Sequence, residues 1–206
     1  MARRVRTAVL ISGRGSNLRA LAEASHAPDY PAEIVLVISN RADAAGLQIA
    51  SEYGIPAQIV PHGDFESREG FDAAIDAALR NADVSLVCAA GFMRIHSEWF
   101  VKRWEGRLIN IHPSLLPAFP GIRVHRQALD AGVKISGCTV HFVVPELDSG
   151  PIIAQAAVPV LPGDTPETLA ARVLEEEHKL YPEVLRLIAS GNVRLENARA
   201  FFPITC

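Results

Sequence analysis

The chain has 206 residues, 49% of them hydrophobic, which suffices for one domain with a buried core or for two tightly joined lobes. A charged fraction of 21% and a net charge of −3 leave no basic excess to neutralise phosphates, which argues against a bulk nucleic-acid binder. No apolar run approaches the ~20 residues of a membrane helix, and Ala8–Ile11 falls short of the roughly 7–15-residue core of a secretion signal.

Along the chain, apolar runs alternate with helical spacing. Thr7–Ser12 reads as a first strand and Asn17–Ser25 as a helix. Glu33–Ser39 is a second strand, followed by a helix over Asp43–Gly54. Ala57–Val60 is a third strand, and Arg68–Ala82 an amphipathic helix. Val84–Gly91 is a fourth strand, a short helix covers Ser97–Trp104, and Arg107–His112 is a fifth strand. Continuous apolar strands separated by helices are buried on both faces, as in an open α/β fold with a mostly parallel, twisted, Rossmann-like sheet and helices on both faces. After Gly121 the rhythm changes. Ser136–Pro145 and Ile152–Val160 are strands with no helix between them, so an antiparallel pair is expected toward the C-terminus. Thr165–Gly191 is the longest helical segment, with Thr165 as N-cap and Pro166 at its first position. Pro182 is expected to kink or break it. We read residues 1–206 as a single domain. A seam near 104–107 divides it into an N-terminal phosphate-binding lobe (about 1–104) and a C-terminal catalytic lobe (about 105–206).

Three stretches carry chemistry. In "ISGRGSNL" (Ile11–Leu18) a strand ends, two glycines make a turn, and Ser16 and Asn17 open a helix. Exposed amides and the helix dipole there attract a phosphate. Gly15 is expected to need a positive φ or a close backbone approach, and a Cβ on it to enter the phosphate position. In "RLINIHPSLLPAFPG" (Arg107–Gly121), Asn110 and His112 share one face at the carboxyl end of a strand, and Pro113, Pro117 and Pro120 stiffen the turn after it. An amide and an imidazole so held suit a reaction at a carbonyl. In "PELDSGPII" (Pro145–Ile153), Asp148 is a turn-former on local grounds, and sequence alone does not bring it to His112. Cys88, Cys138 and Cys206 are too widely spaced for a disulfide framework or a zinc site and fit a cytoplasmic protein. The histidines show no HxxxH pairing, so no metal is expected.

These stretches, with "AGFMRI" (Ala90–Ile95), "HRQAL" (His125–Leu129) and "HFVVPELDSGPII" (His141–Ile153), follow one another in order. Together they resemble the phosphoribosylglycinamide formyltransferases, folate-dependent enzymes of purine synthesis, over roughly residues 6–190. The resemblance implies a formyltransferase fold and transfer of a formyl group from the cosubstrate 10-formyltetrahydrofolate to the amine of glycinamide ribonucleotide. It implies a catalytic trio in which Asn110 and protonated His112 stabilise an oxyanion. Asp148 supports the charged imidazole, since a nearby carboxylate favours that form. It places the substrate phosphate at Gly15, Ser16 and Asn17 and the ribose hydroxyls at Glu177. It places folate against Met93, Arg94, Ile95, Asn110 and the turn Val144, Pro145, Glu146, Leu147 and Asp148, with Arg68 near the glutamate tail. Ser149, Ala118 and Val124 depart from residues common in the family. The resemblance implies small-molecule substrates, without nucleic-acid or membrane partners, and leaves monomer and dimer open. Two related activities remain as alternatives. A formyltetrahydrofolate hydrolase usually carries an extra N-terminal domain, whereas the first strand here begins within ten residues. A methionyl-tRNA formyltransferase needs an added C-terminal domain and a basic surface. A non-catalytic nucleotide-binding module would leave Asn110, His112 and Asp148 without a role.

Overall fold

The apolar runs assemble into one seven-stranded sheet in a computed structural model of the protein, which describes residues 3–203. Cys206 lies outside the described residues; Cys88 and Cys138 are buried free thiols. The strands are β1 (Val5–Ile11), β2 (Ala32–Ser39), β3 (Ala57–Ile59), β4 (Leu86–Ala89), β5 (Leu108–His112), β6 (Ile135–Phe142) and β7 (Ile152–Pro159), in the order β3-β2-β1-β4-β5-β6-β7. The first five are parallel. β6 joins β5 antiparallel, and β7 joins β6 antiparallel, the latter as the absence of a helix between them predicts.

Strand alternation separates two apolar layers. Val9 and Ile11 face one side with α1 (Ser16–Ser25), α2 (Gly46–Glu52), α5 (Val124–Asp130) and α6 (Pro166–Ala189). Ala8 and Leu10 face the other with α3 (Arg68–Asn81) and α4 (Glu98–Arg103). Helices therefore cover both faces. Ser67 caps α3 through the Gly70 amide, and Ser97 caps α4 through Phe100. Thr165 and Thr168 close a reciprocal capping box at the start of α6.

Four details differ from expectation. α2 starts at Gly46, because residues 41–45 form a turn in which Arg41 pairs with Asp43 and the Gly46 amide donates to Gly13. α5 is an additional helix, entered through Arg123 in the left-handed conformation. A small hairpin, β8 (Arg194–Glu196) with β9 (Arg199–Phe201), turns at Asn197 and Ala198, both with positive φ. α6 runs unbroken through Pro182. The proline removes one amide donor from the helix, yet both sides of that turn are anchored. The Tyr30 hydroxyl donates to the Pro182 carbonyl, and the buried Tyr181 hydroxyl donates to the carbonyls of Ala89 on β4 and Ile109 on β5. No helix among the described residues is long and apolar enough to cross a membrane.

Candidate active site

The carboxyl ends of β1, β4 and β5 meet along one edge of the sheet, where chain order reverses between β1 and β4. Such a reversal opens a crevice above the strand ends. Three loops border it: Ser12–Gly15 after β1, Ala90–His96 after β4, and the proline-rich turn after β5.

Register builds the reactive cluster. Asn110 on β5 lies opposite His141 on β6, and His112 lies opposite Thr139, which in turn faces Gln155 on β7. A polar stripe thus crosses three strands on one face. Its Thr139–Gln155 end fixes the proline-rich turn. The Thr139 hydroxyl donates to Ser114 O (2.7 Å) and accepts from the Leu116 amide (3.0 Å), while Gln155 Nε2 donates to Leu116 O (2.9 Å). The Ser114 hydroxyl donates to Ala118 O and Phe119 O. Proline stiffness is therefore supplemented by a hydrogen-bond frame.

Its Asn110–His141 end carries the chemistry. His141 Nδ1 lies 2.9 Å from Phe142 O and donates to it. Burial lowers the His141 pKa, against smaller upward pulls from Phe142 O and Asp148, so the ring is neutral at physiological pH. Its Nε2 is then an acceptor, and Asn110 Nδ2 donates to it at 3.3 Å. Asp148 reaches the cluster from the loop after β6, with Oδ2 3.5 Å from His112 Nδ1 and Oδ1 4.0 Å from His141 Nε2. Asp148 adopts a left-handed conformation (φ 50°), and its Oδ2 accepts from the Gly121 amide at 2.8 Å. His112 Nε2 donates to Phe119 O at 3.0 Å, which leaves Nδ1 as the nitrogen able to serve a reactant. Asn110, His112 and Asp148 lie together in the structure, although no single stretch of sequence brings Asp148 to the other two. His141 is the residue that local reading misses, although it stands in the quoted "HFVVPELDSGPII" stretch.

The glycine loop is built differently from expectation. Gly15 has φ 75° and caps α1, so the positive φ is present. A Cβ there, however, would come within 2.5 Å of Gly46 Cα on α2, and so would strike a helix before any ligand. Gly13 is the glycine whose missing Cβ faces open space. The backbone amides of Ser16 and Asn17, in the first turn of α1, have no helical partner and are available to an anion. The Asn17 side chain turns inward, with Nδ2 donating to Glu177 Oε2 at 2.6 Å. Burial raises the Glu177 pKa, and the Asn17 bond and nearby Arg14 pull it partly back. Asn17 Oδ1 is buried without a partner among the described residues.

The remaining candidates lie around the crevice. Met93 (73% exposed), Ile95 (52%) and Leu147 (53%) present apolar side chains to solvent. The Met93 amide donates to Ser12 Oγ, tying the β4 loop to the glycine loop. Arg94 and the Val144–Leu147 backbone extend the same border; Val144 and Pro145 follow β6 after Val143. Arg68 is exposed at the first position of α3 and makes no ion pair among the described residues. Ser149 bonds only to Leu147 O, so its replacement of the common glycine leaves Asp148 in place.

The sequence profile of the formyl transferase family matches residues 5–185. The chain belongs to the formyl transferase family. It is 46% identical to the phosphoribosylglycinamide formyltransferase of Escherichia coli strain K12, over 92% of this chain and 90% of that protein. It is 54% identical over 96% of its length to the trifunctional purine biosynthetic protein adenosine-3 of Bos taurus, of which it spans 20%. The crystal structure of glycinamide ribonucleotide transformylase 1 from Symbiobacterium toebii matches the formyl transferase fold described above with a TM-score of 0.95 and 47% identity, covering 99% of this chain and 96% of that one.

Proposed function

We propose that the chain transfers a formyl group from 10-formyltetrahydrofolate to the amine of 5'-phosphoribosylglycinamide, giving the formylated ribonucleotide and tetrahydrofolate in purine synthesis. The observation that carries this reading is the meeting of Asn110, His112 and Asp148, from two separated stretches, beside a glycine loop at the same edge of the sheet. β1 and β5 are separated by one strand, so the two sites lie roughly 10 Å apart by strand spacing. A phosphorylated ribose carrying a short amine-bearing arm bridges such a gap. Its phosphate would sit on the Gly15, Ser16 and Asn17 backbone, and its ribose hydroxyls would approach Glu177. The formylfolate ring would enter between Met93–Ile95 and Val144–Asp148, with Arg68 toward its acidic tail. In this arrangement the N-terminal lobe holds the phosphate and the C-terminal lobe the reacting groups and much of the folate site.

The amine nitrogen attacks the formyl carbon, and the carbonyl π pair moves to oxygen. Asn110 Nδ2 and His112 Nδ1 are the donors for that oxyanion. The amide gives up its bond to His141 Nε2 as the charge forms. Asp148, held by Gly121 through Oδ2, has Oδ1 available to accept the amine proton through water. Collapse of the intermediate breaks the bond to the folate nitrogen, which leaves with that proton. No metal is required by this scheme, and among the described residues no group of three His, Cys, Asp or Glu side chains is gathered to hold one.

The test offers the formylfolate with glycinamide ribonucleotide, water or methionyl-tRNA as acceptor. We expect formyl transfer to the ribonucleotide alone. Release of tetrahydrofolate without it would favour the hydrolase instead. Among purified, folded variants, His112→Ala and Asp148→Asn should each lose about 10²–10³ in turnover.

A further inference from the structure

The mechanism leaves unused a buried pair behind the β4 loop. His96 Nδ1 lies 2.8 Å from Asp72 Oδ1, and both side chains are nearly sealed from water. Asp72 Oδ2 accepts from the Ser97 amide at 2.5 Å. The His96 ring stacks between Phe92 (5.2 Å between centroids, planes 13° apart) and Phe100 (4.4 Å, 19°). His96 Nε2 is buried without a partner among the described residues. A polar pair this deep costs desolvation that an apolar pair would avoid, so its geometry calls for an account beyond stability.

Phe92 and His96 bracket Met93, Arg94 and Ile95, all three exposed. Their rings, stacked on each other, close the base of a three-residue projection. One end of that projection is held by the Ser12 bond to the Met93 amide, the other by the two Asp72 bonds to His96 and Ser97. Asp72 itself belongs to α3, a full helix that does not border the crevice through this residue. The carboxylate therefore fixes the path of the loop from behind.

We infer that Asp72 and His96 form a positioning pair that sets the Met93–Ile95 backbone for the formylfolate, and so determines folate affinity without touching the reacting atoms. This rests on the reading that Met93–Ile95 border the folate site. Steady-state kinetics with each substrate varied in turn provide the test. His96→Ala should raise the KM for 10-formyltetrahydrofolate roughly tenfold, the scale of one lost charge-assisted hydrogen bond. The KM for the ribonucleotide and kcat should stay within about twofold. His96→Asn, whose amide nitrogen can occupy the Nδ1 position, should recover most of the loss. The pair His96→Leu with Asp72→Asn retains volume and an acceptor for Ser97. It should stay folded if His96→Ala does not, and should show the same selective rise. A folate KM unchanged in His96→Ala, or in the double variant where His96→Ala does not fold, would overturn the positioning role, as would a parallel rise for both substrates. Ile95→Pro, which deletes an amide within the projection, tests the underlying reading separately. Normal folate affinity in that variant would remove the folate site from this loop. Weakened affinity there, with normal affinity in His96→Ala or in the double variant, would sink the pair alone.

Discussion

Gly15 and Gly13 are two residues apart, yet they ask different things of a substitution. Gly15 combines a left-handed φ with a Cα that abuts Gly46. Gly15→Val should lower stability by displacing α2, and any change in ribonucleotide affinity would follow from that. Gly13 has neither constraint, and a Cβ there points into open space above the strand ends. Gly13→Val should keep the wild-type melting temperature within a few degrees and raise the KM for glycinamide ribonucleotide well above any change for the folate. Thermal melts and two-substrate kinetics on both variants check this. An unchanged ribonucleotide KM in Gly13→Val would move the phosphate elsewhere. The contrast also marks how far local sequence reaches. The φ demand at Gly15 follows from a strand-to-helix turn, and Asn110 with His112 follows from strand periodicity. The neighbour Gly46 and the acceptor His141 are set by which elements lie side by side, information that no single stretch holds. Once β6 is known to run antiparallel beside β5 with Asn110 opposite His141, the polar stripe becomes readable.

Among elements, α6 shows how an end is secured. Asp164, just before the helix, accepts from the Leu161 amide, the Thr168 hydroxyl and both terminal nitrogens of Arg172 (2.8 and 2.9 Å). The Arg172 guanidinium, with these donors, holds the Asp164 carboxyl well below the usual carboxylate range. A depressed folded pKa favours the ionised form, so the stabilisation is present above the ordinary value of 3.8 and is lost as pH falls below it. Asp164→Asn should thus melt below the wild type at pH 7, with the gap narrowing toward pH 3. A gap constant over that interval would mean that ionisation of Asp164 contributes nothing. The same helix shows why Pro182 does not break it. A proline rule concerns the backbone alone, and here the turn around Pro182 is anchored by Tyr30, which donates to the Pro182 carbonyl, and by Tyr181 of the turn itself, which donates to Ala89 on β4. The additional elements were illegible for the opposite reason. α5 spans seven residues without a side-chain cap, and β8 and β9 have three residues each around a turn without glycine. Their local signals are short, and packing against longer elements decides them.

Across the whole molecule the sheet was the most legible feature, because long two-sided burial writes itself into continuous apolar runs. Its reversal between β1 and β4 places the glycine loop and the β5 cluster on one edge. One bond on that edge has a reach that the sheet does not share. Asn17 and Glu177 are 160 residues apart, and their bond joins the first turn of α1 to the middle of α6, two helices that pack together. Local opening of either helix must therefore break the same contact, and a ligand that holds α1 closed also opposes the opening of α6. Amide hydrogen exchange should register this at a distance. Saturation with inorganic phosphate, which has no ribose to contact Glu177, should slow exchange in the residues around Glu177 as well as in α1, and Glu177→Ala should confine the protection to α1. Protection that stays within α1 in the unmodified protein would show the two helices to open independently. If the protection does spread, occupancy of a small anion pocket governs the lifetime of closed amides in a helix encoded at the far end of the chain.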